Sequence, residues 1–279
     1  MSPGWSRLAQ ARSFLFVPGD RPDRFDKAVA AGADALVFDL EDSVPAARKG
    51  DARAAVGRHL AAPGGPGPAL VVRINSPTSP QGAADLGWLA GLPAGPAIMV
   101  PKADGRPALE AVRARRPHAD LLPLVESVAG YLSMAEIAAT PGVVRLVLGH
   151  LDFMLDAGIS CSDEQQELLP LRFAMAVQTR RHGLAAPVDG VTAAVDDPAR
   201  LQADMQRAAR MGFGAKLCIH PRQVPVLHAA LRPPDEELAW AQRVMAANQA
   251  AGGSACQLDG QMIDAPVVLR AQRLLQRAG

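Results

Sequence analysis

Along the chain, short apolar runs rich in β-formers alternate with longer segments in which apolar residues return every three or four positions. The short runs are Phe14–Val17, Ala35–Asp39, Leu70–Ile74, Ile98–Val100, Leu121–Val125, Leu146–Leu148, Pro187–Val191 and Lys216–Ile219. They read as strands. Between them, Arg24–Ala31, Ala46–Leu60, Leu109–Arg115, Leu132–Ala139, Gln165–His182 and Pro198–Arg210 carry the helical spacing. Parallel neighbours need a connection long enough to return across the sheet, so strict alternation implies a parallel sheet with right-handed crossovers. Eight such units predict an α/β fold, a (β/α)8 TIM barrel over residues 1–231. A doubly wound open sheet is the competing architecture. The remaining residues, 232–279, hold two helical stretches, Asp235–Ala251 and Ala265–Arg277, flanking Gly252, Gly253 and a loop over Gln257–Asp264. This tail predicts a C-terminal helical extension able to act as a lid on a barrel mouth. The Gly- and Pro-rich stretch Ala61–Pro68 reads as a surface loop.

Composition narrows the function classes. A length of 279 residues suits one barrel with a small appendage. The net charge of +1 supplies no field for nucleic acid or an anionic membrane, so an anionic substrate must be held by a few local cations. Cys161, Cys218 and Cys256 are odd in number and widely separated, which points to a reducing compartment rather than a disulfide scaffold or zinc site. Met1–Arg12 has no long apolar region, and no stretch reaches the roughly 18 apolar residues of a membrane span. A cytoplasmic protein is the expectation.

In such a barrel the site forms at the C-terminal strand ends. There the sequence places Gly19-Asp20, Asp39-Leu40-Glu41-Asp42, Arg73-Ile74-Asn75, Pro101-Lys102, Glu126-Ser127, Gly149-His150-Leu151-Asp152, Asp189-Gly190 and His220-Pro221. Glu126 and Asp152 end adjacent strands, so their carboxylates can converge on one cation. Two carboxylates that leave room for water and substrate oxygens suit Mg²⁺ better than Zn²⁺ or a caged Ca²⁺. The plainer reading is that they cap helices. Arg73 follows an apolar run that carries its planar guanidinium into the mouth, where it can hold a carboxylate or thioester oxygen. Glu41 and Asp42 can orient it or bridge metal-bound waters; a structural Arg73–Glu41 ion pair is the alternative. Arg24 and Lys27 open the first helix, where cations can meet coenzyme phosphates, or else form its solvated face. His220 serves as a base or as a structural hydrogen-bonder, and His150 receives no role.

Nine blocks give these residues a wider context: Arg12–Asp20, Asp39–Val44, Val72–Asn75, Pro101-Lys102, Val125–Ser127, Gly149–Phe153, Gly212-Phe213, Ile219–Pro221 and Gly260–Pro266. In this order they resemble the citrate lyase β-subunit-like family, which includes malyl-CoA and citramalyl-CoA lyases. The resemblance implies Mg²⁺ on Glu126 and Asp152, substrate on Arg73, and thioester-nucleotide contacts around Phe16, Arg24, Lys27, Ile219 and His220. It further implies that Asp264, in a lid closing on a neighbouring subunit, handles the α-proton of the acyl-CoA within a homo-oligomer, a trimer by analogy. Asp264 also suits an N-cap for the helix near Pro266. The implied reaction cleaves or forms a β-hydroxyacyl-CoA, with an acyl-CoA and a 2-oxo acid as the other partners. Three alternatives remain: a class II pyruvate aldolase, disfavoured because Asp42 stands where that group has a histidine base; a thioester hydrolase; and a non-catalytic binding subunit of a larger complex. Ala215 and Thr192 depart from the family's usual Gly and Tyr, which puts the pocket near strands seven and eight in question.

Overall fold

A computed structural model describes residues 7–62, 67–92 and 95–278. Residues 63–66 of the expected surface loop, and the first six of the N-terminal segment, lie outside the described residues. Two compact units are present, Met1–Leu227 and His228–Gly279.

In the first unit, β1 (Ser13–Pro18), β2 (Ala35–Asp39), β3 (Ala69–Arg73), β4 (Ala97–Val100), β5 (Leu121–Val125), β6 (Val147–Leu148), β7 (Val188–Asp189) and β8 (Ala215–Cys218) close into a barrel. Every pairing is parallel, and β8 returns to β1 with Phe14 opposite Leu217. Closure excludes the open sheet. The helices intervene as the spacing predicts, with differences that have local causes. Leu132–Ala139 is two short helices, Val128–Leu132 and Met134–Ala138, broken at Ser133. Helix Pro80–Leu89, which the periodicity did not single out, starts from Ser79, whose side chain accepts from the Gly82 amide, with Pro80 in the first turn.

Side chains alternate in and out along each strand. The inward set, including Phe14, Val37, Val71, Met99, Leu124, Val147, Val188 and Leu217, fills the barrel, with Leu8 and Ala11 joining it. Burying each large aliphatic chain stabilises the fold by roughly 1.5–3 kcal/mol. Arg145 donates to the carbonyls of Leu8, Ala11 and Ala186, and its guanidinium lies 5.4 Å from the Phe14 ring centroid. Burial pushes it down to about 9. The same alternation positions the site, since two residues beyond Val37, Val71 and Leu124 come Asp39, Arg73 and Glu126.

The second unit has its own small core of Ala241, Val244, Ile263, Ala271 and Leu274. Its helices are Asp235–Ala250 and Ala265–Ala278. The stretch expected as a loop contains a hairpin, β9 (Cys256–Leu258) with β10 (Gln261–Ile263). Asp259 and Gly260 make the turn with φ of 51° and 77°, the paired positive values of a two-residue type I′ hairpin turn. Among the described residues no helix is long and apolar enough to cross a membrane.

Candidate active site

A cavity of about 980 Å³ opens at the C-terminal strand ends of the first unit. Phe16, Arg24, Lys27, Asp42, Arg73, Glu126, Asp152, Ile219 and His220 all line it, so this set of sequence-derived candidates meets in one place. Glu41 is buried just outside the lining. Asp264 belongs to the second unit. There its Oδ1 accepts from the Val267 amide at 3.2 Å, which realises the helix N-cap.

Arg73 is the centre of the β2–β3 corner. Its Nε and Nη2 donate to the two oxygens of Asp39, each at 2.7 Å, in a bidentate pair. Its Nη1 lies 3.0 Å from Glu41 Oε2 and 3.6 Å from Asp42 Oδ2, and the guanidinium sits 4.8 Å from the Phe16 ring centroid. Asp39 is thus the main orienting group, a role that sequence reasoning assigned to Glu41 and Asp42. Its signal was available: Asp39 and Arg73 share strand parity and register. Burial pushes Asp39 up, but the charge and hydrogen bonds of Arg73, with the amides of Ser43 and Glu41, outweigh it and hold it below the usual carboxylate range. Behind this corner Lys49 donates to the Leu40 and Glu41 carbonyls at 2.8 Å and to Asn75 Oδ1 at 2.6 Å, pinning the loop that carries Glu41 and Asp42.

Glu126 follows β5. Its Oε1 accepts from the Lys102 amide at 2.7 Å, where Lys102 takes a left-handed φ of 46°. Its other oxygen lies against Gly149, where a Cβ would come within 2.6 Å of Oε2 and 2.5 Å of the Glu126 Cβ. Only glycine leaves the carboxylate its place. Asp152 stands in the first turn of helix His150–Ala157, exposed on the cavity wall. Burial first, then the charges of Glu41 and Asp152, push Glu126 up to about 8. Glu41 is raised to about 7 by burial, with Asp42 and Asp39 adding to it against the pull of Arg73. Glu41 Oε2 is buried without a well-angled hydrogen bond although the Arg73 charge is close. The donor set is therefore short of positive charge and fits a divalent cation. Among the described residues no three His, Cys, Asp or Glu side chains group as a metal cage. Two carboxylates are enough for an ion that keeps water and substrate oxygens.

Two histidines complete the wall. His220 Nδ1 accepts from the Arg222 amide at 3.2 Å, a local turn that occupies that nitrogen. His150 is buried, and burial lowers it to about 4. A separate buried cluster stands on the outer face of β7 and β8: Asp189 takes Arg172 Nε at 3.0 Å and Lys216 Nζ at 2.8 Å. Thr192, at a departure from the family pattern, donates to Asp204 at 2.7 Å.

Fold and site together define an α/β barrel with a carboxylate-rich, arginine-bearing centre at its C-terminal strand ends. Residues 12–221 match the family described as HpcH/HpaI aldolase/citrate lyase, and the chain belongs to it. It is 37% identical over 282 aligned residues to a citrate lyase subunit beta-like protein of Mycobacterium tuberculosis, covering 99% of this chain and 96% of that one. It is 33% identical over 270 residues to a (3S)-malyl-CoA thioesterase of Cereibacter sphaeroides, covering 96% and 94%. Among solved structures, the CitE protein of M. tuberculosis in complex with magnesium, acetoacetate and coenzyme A superposes with a TM-score of 0.84 at 37% identity, covering 98% of this chain and 100% of that one.

Proposed function

We propose that the protein is a Mg²⁺-dependent carbon–carbon lyase that cleaves or forms a β-hydroxyacyl-CoA such as malyl-CoA, citramalyl-CoA or a citryl thioester. The observation that carries this reading is the cation-poor pair Glu126 and Asp152 beside an arginine fixed by Asp39, in a cavity whose chain-wide relative was solved with magnesium, an oxo acid and coenzyme A.

Mg²⁺ held by Glu126 and Asp152 supplies Lewis acidity toward the carboxylate and neighbouring oxygen of the oxo-acid half. Arg73 binds the negative charge that develops as the carbon–carbon bond breaks. Asp42, the exposed carboxylate at the Nη1 end of Arg73, takes the hydroxyl proton. The electron pair of the broken bond remains on the α-carbon of the acyl-CoA, and Asp264 protonates it; in the condensing direction Asp264 removes that proton. Glu41 positions Arg73. Arg24 and Lys27, both exposed on the rim, receive the coenzyme phosphates, with Phe16, Ile219 and His220 beside the pantetheine arm. The barrel, residues 1–231, carries the site, and 232–279 act as a lid within a homotrimer.

A coupled assay for free 2-oxo acid tests this, using malyl-CoA and citramalyl-CoA with Mg²⁺ or EDTA. Metal-dependent release of glyoxylate or pyruvate is expected. A second reading is favoured by the similarity to the malyl-CoA thioesterase: water enters the same site and the thioester is hydrolysed. Free thiol and malate without glyoxylate would select it.

A further inference from the structure

Helix His150–Ala157, which carries Asp152, begins without a side-chain cap. Its later part is tied to helix Val128–Leu132, where Asp156 accepts from the Val128 amide at 2.7 Å and the rings of Phe153 and Tyr131 meet at 6.2 Å between centroids. Its first turn is held by two close approaches. Gly149 lies against the Glu126 side chain, and His150, only 4% exposed, seats its ring on Gly190. A Cβ on Gly190 would come 2.1 Å from Nδ1 and 2.9 Å from Cε1, so no side chain fits there unless the imidazole moves. The backbone does not itself call for glycine at this position, since Gly190 lies outside the left-handed region. The ring is what requires it. Gly190 is also a firm seat. Its carbonyl accepts from Lys216 Nζ at 2.7 Å, and the same ammonium meets Asp189 at 2.8 Å, with Arg172 on the other carboxylate oxygen at 3.0 Å. This buried cluster behind β7 and β8 supplies the charges that act on His150, namely Asp189, Lys216, Arg172 and Asp204. A chain of contact therefore runs from the cluster, through Gly190 and the imidazole, to the turn that presents Asp152.

We propose that Gly190 and His150 are positioning residues for the metal site: the imidazole, seated where Gly190 lacks a side chain, fixes the first turn of the helix and with it the carboxylate of Asp152. The inference rests on the role given above to Glu126 and Asp152 as ligands of a divalent cation. Altering a group that orients a ligand from behind commonly weakens metal binding by roughly 10- to 100-fold.

The test titrates Mn²⁺ into the full-length protein and follows the free ion by electron paramagnetic resonance, so the readout is affinity rather than turnover, with urea midpoints measured in parallel. Wild type is expected to bind at a single site that Asp152→Asn weakens. Gly190→Ala and His150→Ala are each expected to weaken binding about tenfold. His150→Asn, whose side-chain amide reaches the place of Nδ1, should stay within about threefold of wild type. The double variant Gly190→Ala/His150→Ala should match His150→Ala alone, because with the ring gone the next atom met by the added Cβ is the Leu148 carbonyl oxygen at 3.1 Å. Wild-type affinity in a folded Gly190→Ala overturns the proposal, and so do losses that multiply in the double variant. A merely structural pair would lower the urea midpoint and leave Mn²⁺ binding by the folded protein unchanged. If Gly190→Ala does not fold, His150→Asn against His150→Ala decides, and equal affinities overturn the proposal. If wild type binds no Mn²⁺, or Asp152→Asn binds it as well as wild type does, the metal role of Asp152 falls and the proposal with it. Binding through Asp152 that is indifferent to Gly190 and His150 removes only their positioning role.

Discussion

The barrel mouth around Arg73 and the cluster around Asp189 are built from the same parts: an arginine, a strand carboxylate held by it, and a nearby lysine. They differ in which way the strand turns them. Asp39, Arg73 and Glu126 share the inward parity of the barrel core and end in a cavity, while Asp189 and Lys216 take the outward parity and meet Arg172 of helix Leu169–Arg181. At Asp189 two cations serve one carboxylate, and although burial opposes ionisation, Lys216 and Arg172 bring it down to about 2. At the mouth Asp39, Glu41, Asp42, Glu126 and Asp152 outnumber Arg73 and Lys102, and Glu126 is driven up to about 8. A cluster that only holds a fold together settles its charges within the chain. One left unsettled beside a cavity is arranged for something that arrives.

The comparison breaks most visibly at Glu126. Glu126→Gln is expected to lower activity at least 10³-fold, about 4 kcal/mol of transition-state stabilisation. Removing a carboxylate that is crowded by its neighbours should leave the thermal midpoint unchanged or raised. A variant that instead unfolds would make the mouth a structural cluster after all. Asp189→Asn should do the reverse. It strands two buried cations, and its cost in urea unfolding is expected at roughly 3–5 kcal/mol. Lys216→Met should cost less, because Arg172 still balances Asp189.

Asp264 sharpens the contrast between capping and chemistry. Asn caps a helix as well as Asp does, whereas Ala in place of either costs about 1 kcal/mol. Asp264→Asn is therefore expected to keep the stability of the wild type and to lose about 10²-fold in activity, with Asp264→Ala losing both. Full activity in the asparagine variant would leave Asp264 as a cap alone.

Much of this was legible before any coordinates. The eight runs and their helical spacers determine the barrel, and the rule that a barrel works at its C-terminal strand ends brings Arg73, Glu126, Asp152 and the rim residues to one cavity. What stayed hidden depended on contacts between distant strands. Asp39 looked like the last residue of a run, and only its register against Arg73 makes it the bidentate partner. Gly149 and Gly190 read as turn residues, yet each is where a carboxylate or an imidazole takes the room of a missing side chain. The β9–β10 hairpin was missed because its strands are three residues each, too short for a period to register beside the Asp259-Gly260 turn.

The smallest expected effect lies in acid. Asp189 has a folded value near 2 against an ordinary 3.8, so it binds fewer protons in the native state than in the unfolded chain between those limits. Its contribution is complete above about pH 4 and is lost as pH falls toward 2, a span of roughly 2 kcal/mol. The groups that set it are Lys216 and Arg172, with His150 adding to them. Urea midpoints measured from pH 5 to pH 2.5 should fall less steeply in Lys216→Met than in wild type, since the leading source of the depression is gone. Equal slopes would mean that Arg172 alone holds Asp189 down, and that the lysine on β8 serves the Gly190 carbonyl, which it meets at 2.7 Å, more than the carboxylate.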